Sequence, residues 1–243
     1  VRMEKKWAYI KTPDSKVVEH LMENLGVDKV IATLLSQRGI TNFEEAKHFF
    51  RPSLSDLHSP FLMKDMKEAV ARIDRAILGG ERILIYGDYD VDGTTAVALV
   101  YLFFRKFYTN IGYYIPDRYT EGYGVSYRGI NYAAEHGYSL IISLDCGIKA
   151  VEKIHFAKQR GIDFIVCDHH LPDETIPQAA AVLDPKRPDC DYPYSELSGF
   201  GVGFKLAQAY CITKGIPQEE AYEYLDLVAV SIASDIVPLI NEN

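Results

Sequence analysis

The chain has no C-x-x-C pair: its four cysteines, Cys146, Cys167, Cys190 and Cys211, stand far apart. That spacing excludes a thiolate zinc ribbon and a dense disulfide scaffold, and a chain of 243 residues needs no covalent staples. Reduced thiols and a cytoplasmic setting are therefore expected. Cys146 and Cys167 each adjoin an aspartate and read as small apolar fillers at strand ends. No apolar run approaches the roughly 18 residues of a membrane span, and the first residues lack a basic-then-apolar leader pattern. No membrane partner is expected, and Val1-Arg2 ahead of Met3 reads as a cloning remnant. Positive charge is also short. Lys+Arg number 26 against 34 Asp+Glu, a net charge of −8, which excludes a generally basic nucleic-acid binder and leaves only a local site. With 48% apolar residues, disorder is excluded for the chain as a whole.

What is present falls into two grammars. Residues 13–60 read as helical, with Ser15–Leu25 and Val27–Arg38 apolar at helical spacing and stopped by Gly26 and Gly39. Thr41-Asn-Phe-Glu44 reads as a capping box opening a short helix before Pro52. A helix from Met66 to Leu78 follows. Beyond it, short apolar strands alternate with helices: Arg82–Tyr86, Gly112–Ile115, Ser139–Leu144, Asp163–Cys167, and Ala179–Leu183 as a possible fifth. Helices are expected at Thr94–Phe107, from Ser126 to His136, at Ile148–Arg160, Val202–Thr213 and Gln218–Ala233. This alternation predicts an α/β fold, a parallel, doubly wound sheet with helices on both faces, preceded by a helical N-terminal extension. The expected boundary divides 1–65 from 66–243.

Ligands of open α/β sheets bind beyond the carboxyl ends of the strands. Three strands here end in ionisable groups: Asp88, Asp90 and Asp92 in GDYDVDG, Asp145 in SLDCG, and Asp168, His169 and His170 in VCDHHLP. Side chains remote in sequence should therefore converge on one edge. Asp90 and Asp92 alternate, so an extended turn would point them the same way, with Gly87 and Gly93 allowing the tight backbone. Carboxylates without intervening basic residues repel unless cations neutralise them. Oxygen and imidazole donors suit Mn²⁺ or Mg²⁺. The D-x-D-x-D-G spacing matches a calcium loop, but the twelfth position from Asp88 is Leu99 rather than glutamate, so that reading fails. Any one Asp-rich turn alone reads as a cap or Asx-turn. His20, His48, His58, His136 and His155 read as ordinary surface or core residues. Asp235, in ASDIVPLINEN, sits at a helix end and by itself reads as a cap. The segment Ser198-Gly-Phe-Gly-Val-Gly203 opens a helix and is open to two readings, close packing or contact of Gly201 and Gly203 with a substrate phosphate.

Taken in order, GDYDVDG, SLDCGI, VCDHHLP, GFGVGFKL and SDIVPL resemble the motif series of the DHH phosphoesterase superfamily. Within it the resemblance is to the single-strand-specific 5′→3′ exonucleases, and it spans nearly everything from Phe43 to Asn243. The pyrophosphatases and small-oligonucleotide or cyclic-dinucleotide phosphodiesterases of the superfamily usually carry a histidine four residues before the first ligand aspartate. Here that place is Tyr86. The resemblance implies two divalent cations, Mn²⁺ or Mg²⁺, held by Asp90, Asp92, Asp145, His169 and Asp235, with Asp145 bridging. It gives His170 a place facing the scissile phosphate and Asp88 a supporting or catalytic one. Arg118, in the segment PDRYTEGYG, is a candidate for substrate phosphate. It further implies hydrolysis of single-stranded DNA from a 5′ end to 5′-mononucleotides, in DNA repair and recombination, with replication or repair proteins as partners and a monomeric state. Another DHH phosphoesterase activity, or a non-catalytic nucleic-acid-binding scaffold, are the alternatives. The family's second catalytic domain of DHHA1 type and its OB-fold are expected to lie outside this chain, leaving these residues able to bind metal but feeble on DNA.

Overall fold

The computed structural model describes residues 6–243; Val1–Lys5, and with them the reading of Val1-Arg2, lie outside the described residues. The chain divides into two compact units, one ending at Leu57 and the other spanning His58–Asn243. The division falls eight residues ahead of the boundary expected at 65/66, because Pro60–Leu62 forms a single helical turn that packs within the second unit.

The first unit is helical. Helix α1 (Ser15–Leu25) is capped by Asp14, whose carboxylate accepts the Lys16 N–H, and stops at Gly26 in the left-handed region. Helix α2 (Lys29–Gln37) has Asp28 as its cap, and α3 (Phe43–Phe50) has Asn42. The expected capping box is displaced by one residue: Asn42 accepts from the Glu45 N–H, and the Glu45 carboxylate reaches back to the Thr41 N–H. Val18, Leu21, Ala32, Leu35, Ile40 and Ala46 form the core of this unit.

The second unit begins with α4 (Met66–Leu78) and continues β1 (Arg82–Gly87), α5 (Val91–Arg105), β2 (Ile111–Tyr114), α6 (Tyr127–Glu135), β3 (Tyr138–Leu144), α7 (Val151–Lys158), β4 (Asp163–Cys167) and β5 (Ala181–Leu183). Helices α8 (Gly199–Lys214), α9 (Glu219–Tyr222) and α10 (Leu225–Asp235) close it. The long helix expected at Gln218–Ala233 is thus two. All four strand pairings are parallel, in the order β2-β1-β3-β4-β5. Central strands are buried on both faces, as an all-parallel sheet requires. Leu84, Tyr86, Ile141, Phe164 and Val166 face α6 and α7 through Ile130, Ala133, Ile154 and Ala157. Helices α4, α5 and α8 cover the opposite face. The strand order reverses between β1 and β3, so a crevice opens at their carboxyl ends. Among the described residues no helix is long and apolar enough to cross a membrane.

The loop after β1 departs from the expected extended turn. Helix α5 starts at Val91, so Asp92 and Gly93 lie in its first turn and Asp90 is its cap, accepting the Gly93 N–H at 2.8 Å. An aspartate at the cap position satisfies a donor that the helix leaves open, which outweighs the alternation read from sequence. Gly93 is needed for close approach: a Cβ there would lie 2.7 Å from both the backbone N and O of Asp88. Gly93→Ala is therefore expected to destabilise the chain by about 2–3 kcal/mol in urea denaturation, as overpacking against an unyielding backbone does.

Candidate metal centre

Three loops deliver carboxylates and imidazoles to the crevice. From the start of α5 comes Asp92, which is buried. Its carboxylate is received by the open end of α8: the Gly199 N–H donates to Oδ2 at 2.7 Å and the Phe200 N–H to Oδ1 at 2.8 Å. Ser231 of α10 donates its hydroxyl to Oδ1 at 2.7 Å. Asp145 follows β3 with φ 58°, a left-handed conformation that aspartate tolerates better than most residues. Its backbone N–H donates to the Cys167 carbonyl, tying the ends of β3 and β4 together. Gly199 is the other condition for Asp145, since a Cβ at Gly199 would stand 2.6 Å from the Asp145 Cβ and 2.7 Å from its Oδ1.

His169 is oriented from behind. Its Nδ1 lies 3.0 Å from the Leu197 carbonyl, which can only accept, so Nδ1 carries the hydrogen and Nε2 faces the acids. Nε2 is 3.1 Å from Asp145 Oδ1, 3.7 Å from Asp92 Oδ2 and 3.7 Å from Asp235 Oδ2. Both Nε2 and Asp145 Oδ1 are buried without a hydrogen-bond partner. Two lone pairs facing each other at this distance require a proton or a cation between them. A cation fits the donor set, which is oxygen and imidazole with no thiolate. Two groupings could hold one: Asp145, His169 and His170, and Asp92, His169 and Asp235.

Charge repulsion and burial agree with this. Burial, then the charges of Asp92 and Asp90, push the Asp145 carboxyl up to about 10. Burial chiefly pushes Asp88 up to about 6, and burial also raises Asp235. Asp168 behaves oppositely. Burial alone would raise it, but the hydrogen bond and charge of His170, with the Ile148 and His169 N–H groups, hold it below the usual range. His170 Nδ1 lies 2.6 Å from Asp168 Oδ1, and this partner raises the imidazole against the effect of burial.

The structure thus brings Asp92, Asp145, His169, His170 and Asp235 together. The two imidazole centroids are 4.6 Å apart, in the loop that leaves β4 after Cys167. Asp90 and Asp88 belong to neither grouping; Asp90 is exposed at its cap position and Asp88 is buried beneath the loop. Arg118 is exposed, its guanidinium 5.1 Å from the Tyr89 ring centroid. Tyr89 meets Tyr123 edge-on, and the Tyr123 hydroxyl lies 3.2 Å from His170 Nε2. An aromatic file therefore joins Arg118 to His170. Gly201 and Gly203 are buried within α8, and the helix's opening N–H groups are taken by Asp92 and Ser198. The packing reading of this segment prevails over phosphate contact: a Cβ at Gly203 would stand 3.1 Å from Leu144 and 3.3 Å from Val100.

Sequence reasoning passed over Tyr123, Ser231 and Asp184. Asp184 directly follows β5, the position that should have drawn attention. It is fully buried, with Oδ1 accepting the Lys186 N–H and Oδ2 unpartnered, and burial pushes it up to about 7. A carboxyl raised above its unfolded value near 4 binds its proton more tightly when folded. Its contribution is therefore fully present below about pH 4 and is lost progressively as pH rises to 7. In chelator, Asp184→Asn is expected to match the parent near pH 4 and exceed its stability by about 1–3 kcal/mol at pH 8, read by denaturation at the two pH values.

The family model described as DHH family, N-terminal domain, matches residues 82–232. The single-stranded-DNA-specific exonuclease RecJ of Bacillus subtilis (strain 168) is 42% identical over 96% of this chain and 29% of its own length. RecJ of Escherichia coli (strain K12) is 33% identical over 86% of this chain and 37% of its own. Among solved structures, exonuclease RecJ bound to manganese matches with TM-score 0.68 and 33% identity over 77% of this chain and 46% of that one. RecJ in complex with Mn²⁺ from Thermus thermophilus matches with TM-score 0.76 and 28% identity over 94% of this chain and 32% of that one. The chain thus spans about a third of the length of the curated relatives it matches. With the ordered carboxylates and paired histidines at one sheet edge and the family match over most of the second unit, the chain belongs to the DHH family.

Proposed function

We propose that this chain is the metal-binding DHH module of a 5′→3′ exonuclease acting on single-stranded DNA in repair and recombination. The observation that carries this reading is the facing pair Asp145 Oδ1 and His169 Nε2, buried and unpartnered, with Asp92 and Asp235 closing around it. Its relatives are named as single-strand-specific exonucleases, and similar structures hold Mn²⁺, which supports two divalent cations here, Mn²⁺ or Mg²⁺. Such cations supply Lewis acidity, lowering the pKa of a water and offsetting charge on the phosphoryl oxygens.

The residues take distinct parts in this reading. Asp92, His169 and Asp235 would hold one ion, Asp145 would be shared with a second, and Asp90 would add a further carboxylate. The Leu197 carbonyl fixes the His169 tautomer so that Nε2 is the donor atom. His170, its proton favoured by Asp168, faces the phosphate as a charged donor, and Asp88 supports the loop. Arg118 receives the terminal phosphate at the end of the aromatic file. Attack on the phosphodiester with departure of the 3′ oxygen releases a 5′-mononucleotide. Tyr86 argues against the pyrophosphatase-type alternative. Its hydroxyl donates to the Gly124 carbonyl and accepts the Ser126 N–H, so the place of the rival histidine is occupied by a buried structural pin. The helical part ahead of this unit is an extension. A second catalytic domain and an OB-fold complete the whole protein, a cytoplasmic monomer that meets replication and repair proteins.

Two mutational outcomes follow from these roles. Asp145→Ala is expected to abolish Mn²⁺ binding at both positions, and calorimetry finding two ions at unchanged affinity would remove the bridging role. His169→Ala is expected to weaken Mn²⁺ by about 10–100-fold, whereas His170→Ala keeps the ions and loses rate; equal metal loss in both would end that division.

The activity itself is tested on a 5′-phosphorylated single strand in Mn²⁺, beside dinucleotides and pyrophosphate. Mononucleotide release from the long strand is expected, weak for these 243 residues and stronger for a longer chain carrying the family's remaining domains. A preference for dinucleotides or pyrophosphate would overturn the exonuclease reading.

A further inference from the structure

Asp235 is the one member of the cluster whose carrier segment is not held by the sheet. It is the last residue of α10, its side chain is 31% exposed, and the next residue, Ile236, adopts φ 57°. A β-branched residue in the left-handed region is strained and persists only where its surroundings fix it. Upstream, Ser231 ties α10 to Asp92 and to the Ser198 hydroxyl. Downstream, the chain runs through Val237–Asn241, largely exposed, and then turns abruptly inward.

The inward turn ends on Glu242, whose side chain is 2% exposed and meets Lys205 of α8, itself 1% exposed. Lys205 Nζ donates to Glu242 Oε1 at 2.5 Å and to the His58 carbonyl at 3.0 Å. The His58 N–H donates to Oε1 at 2.8 Å and the Tyr192 hydroxyl to Oε2 at 2.6 Å. Asn243 adds its side-chain amide to the Tyr194 hydroxyl and to the Glu196 and Pro238 carbonyls, and the Tyr194 hydroxyl donates to the Pro238 carbonyl. Burying an ion pair is expensive, and replacement by apolar residues often stabilises. The pair is thus poorly explained by stability alone, whereas its connections are specific. One strap, Tyr192–Leu197, holds both this segment and, through the Leu197 carbonyl, His169.

We propose that Glu242, clamped by Lys205 and Tyr192, is a positioning residue that fixes Asp235 against His169 in the metal centre. The inference rests on the metal-binding reading above. Glu242 lies seven residues beyond Asp235 and acts through the segment between them. Removing the clamp releases the downstream end of that segment, Ile236 relaxes out of the left-handed region, and Asp235 loses its fixed distance to His169.

The test is a Mn²⁺ titration by calorimetry of the parent chain, Glu242→Gln, Asp235→Ala and the double variant, with Tyr192→Phe as the milder change should Glu242→Gln fail to fold. In the parent background Glu242→Gln is expected to weaken Mn²⁺ by about tenfold, in the range of lost supporting contacts, and Tyr192→Phe by less. In the Asp235→Ala background neither change is expected to weaken it further. A general loosening of the fold would instead lower affinity equally in both backgrounds, which overturns the proposal, as does unchanged affinity in the single variants. Absence of Mn²⁺ uptake by the parent chain would overturn the metal-binding reading and the positioning role together, and so is distinguishable from failure of the clamp alone.

Discussion

The reception of the Asp92 carboxylate by the start of α8 is the contact on which the site is built. A helix leaves its first N–H groups without internal partners and carries partial positive charge there, so a carboxylate placed against it is both hydrogen-bonded and electrostatically favoured. Here the partner arrives from a different helix more than a hundred residues earlier in the chain, and Ser231 of a third helix completes it. The contact joins α5, α8 and α10 at the mouth of the crevice. It also leaves α8 close enough to Asp145 that only glycine fits at position 199. The same helix serves the site twice, since Lys205 farther along it holds the end of the segment that follows Asp235.

Like charges crowded in a place of low polarity define the chemistry. Asp145 and Asp235 are raised chiefly by burial and further by neighbouring carboxylates, and the His170 imidazole is committed to Asp168. A carboxylate paired with a charged imidazole stays low, and carboxylates paired with one another rise. The division separates a histidine at the rim, whose proton Asp168 favours, from a set of acceptors behind it. Such a set is incomplete electrostatically until positive charge enters.

Much of this was legible in the sequence because the signals were local. Short apolar strands announced the parallel sheet, and acidic residues placed directly after them announced the edge at which they meet. The ordered motifs named the superfamily before any distance was known. What escaped was non-local or hidden by a competing local rule. Asp90 and Asp92 alternate on paper, yet the cap that Asp90 offers to Gly93 begins the helix early and puts Asp92 in its first turn. Nothing near Gly199 tells that Asp145 will press against it. Asp184 followed the strand that was only a possible fifth, and no histidine or second acid stood beside it to draw notice. The glycine segment preceding α8 looked able to take a phosphate because the aspartate that already fills its donors lies far away in sequence.

The two cysteines beside the ligand-bearing turns bear on metal choice. Cys146 and Cys167 follow and precede Asp145 and Asp168, yet both thiols are buried. Burial, reinforced by the nearby carboxylates, pushes their ionisation upward. A thiol that keeps its proton is a poor nucleophile. Among the described residues neither thiol belongs to a grouping that could hold an ion, so soft ions such as copper(I), which select thiolate, find no sulfur in the set, while hard ions meet oxygens and imidazole. Oxidants that attack thiolates are likewise denied a target at this edge of the sheet. Selectivity for the cation is therefore written partly in residues that never touch it.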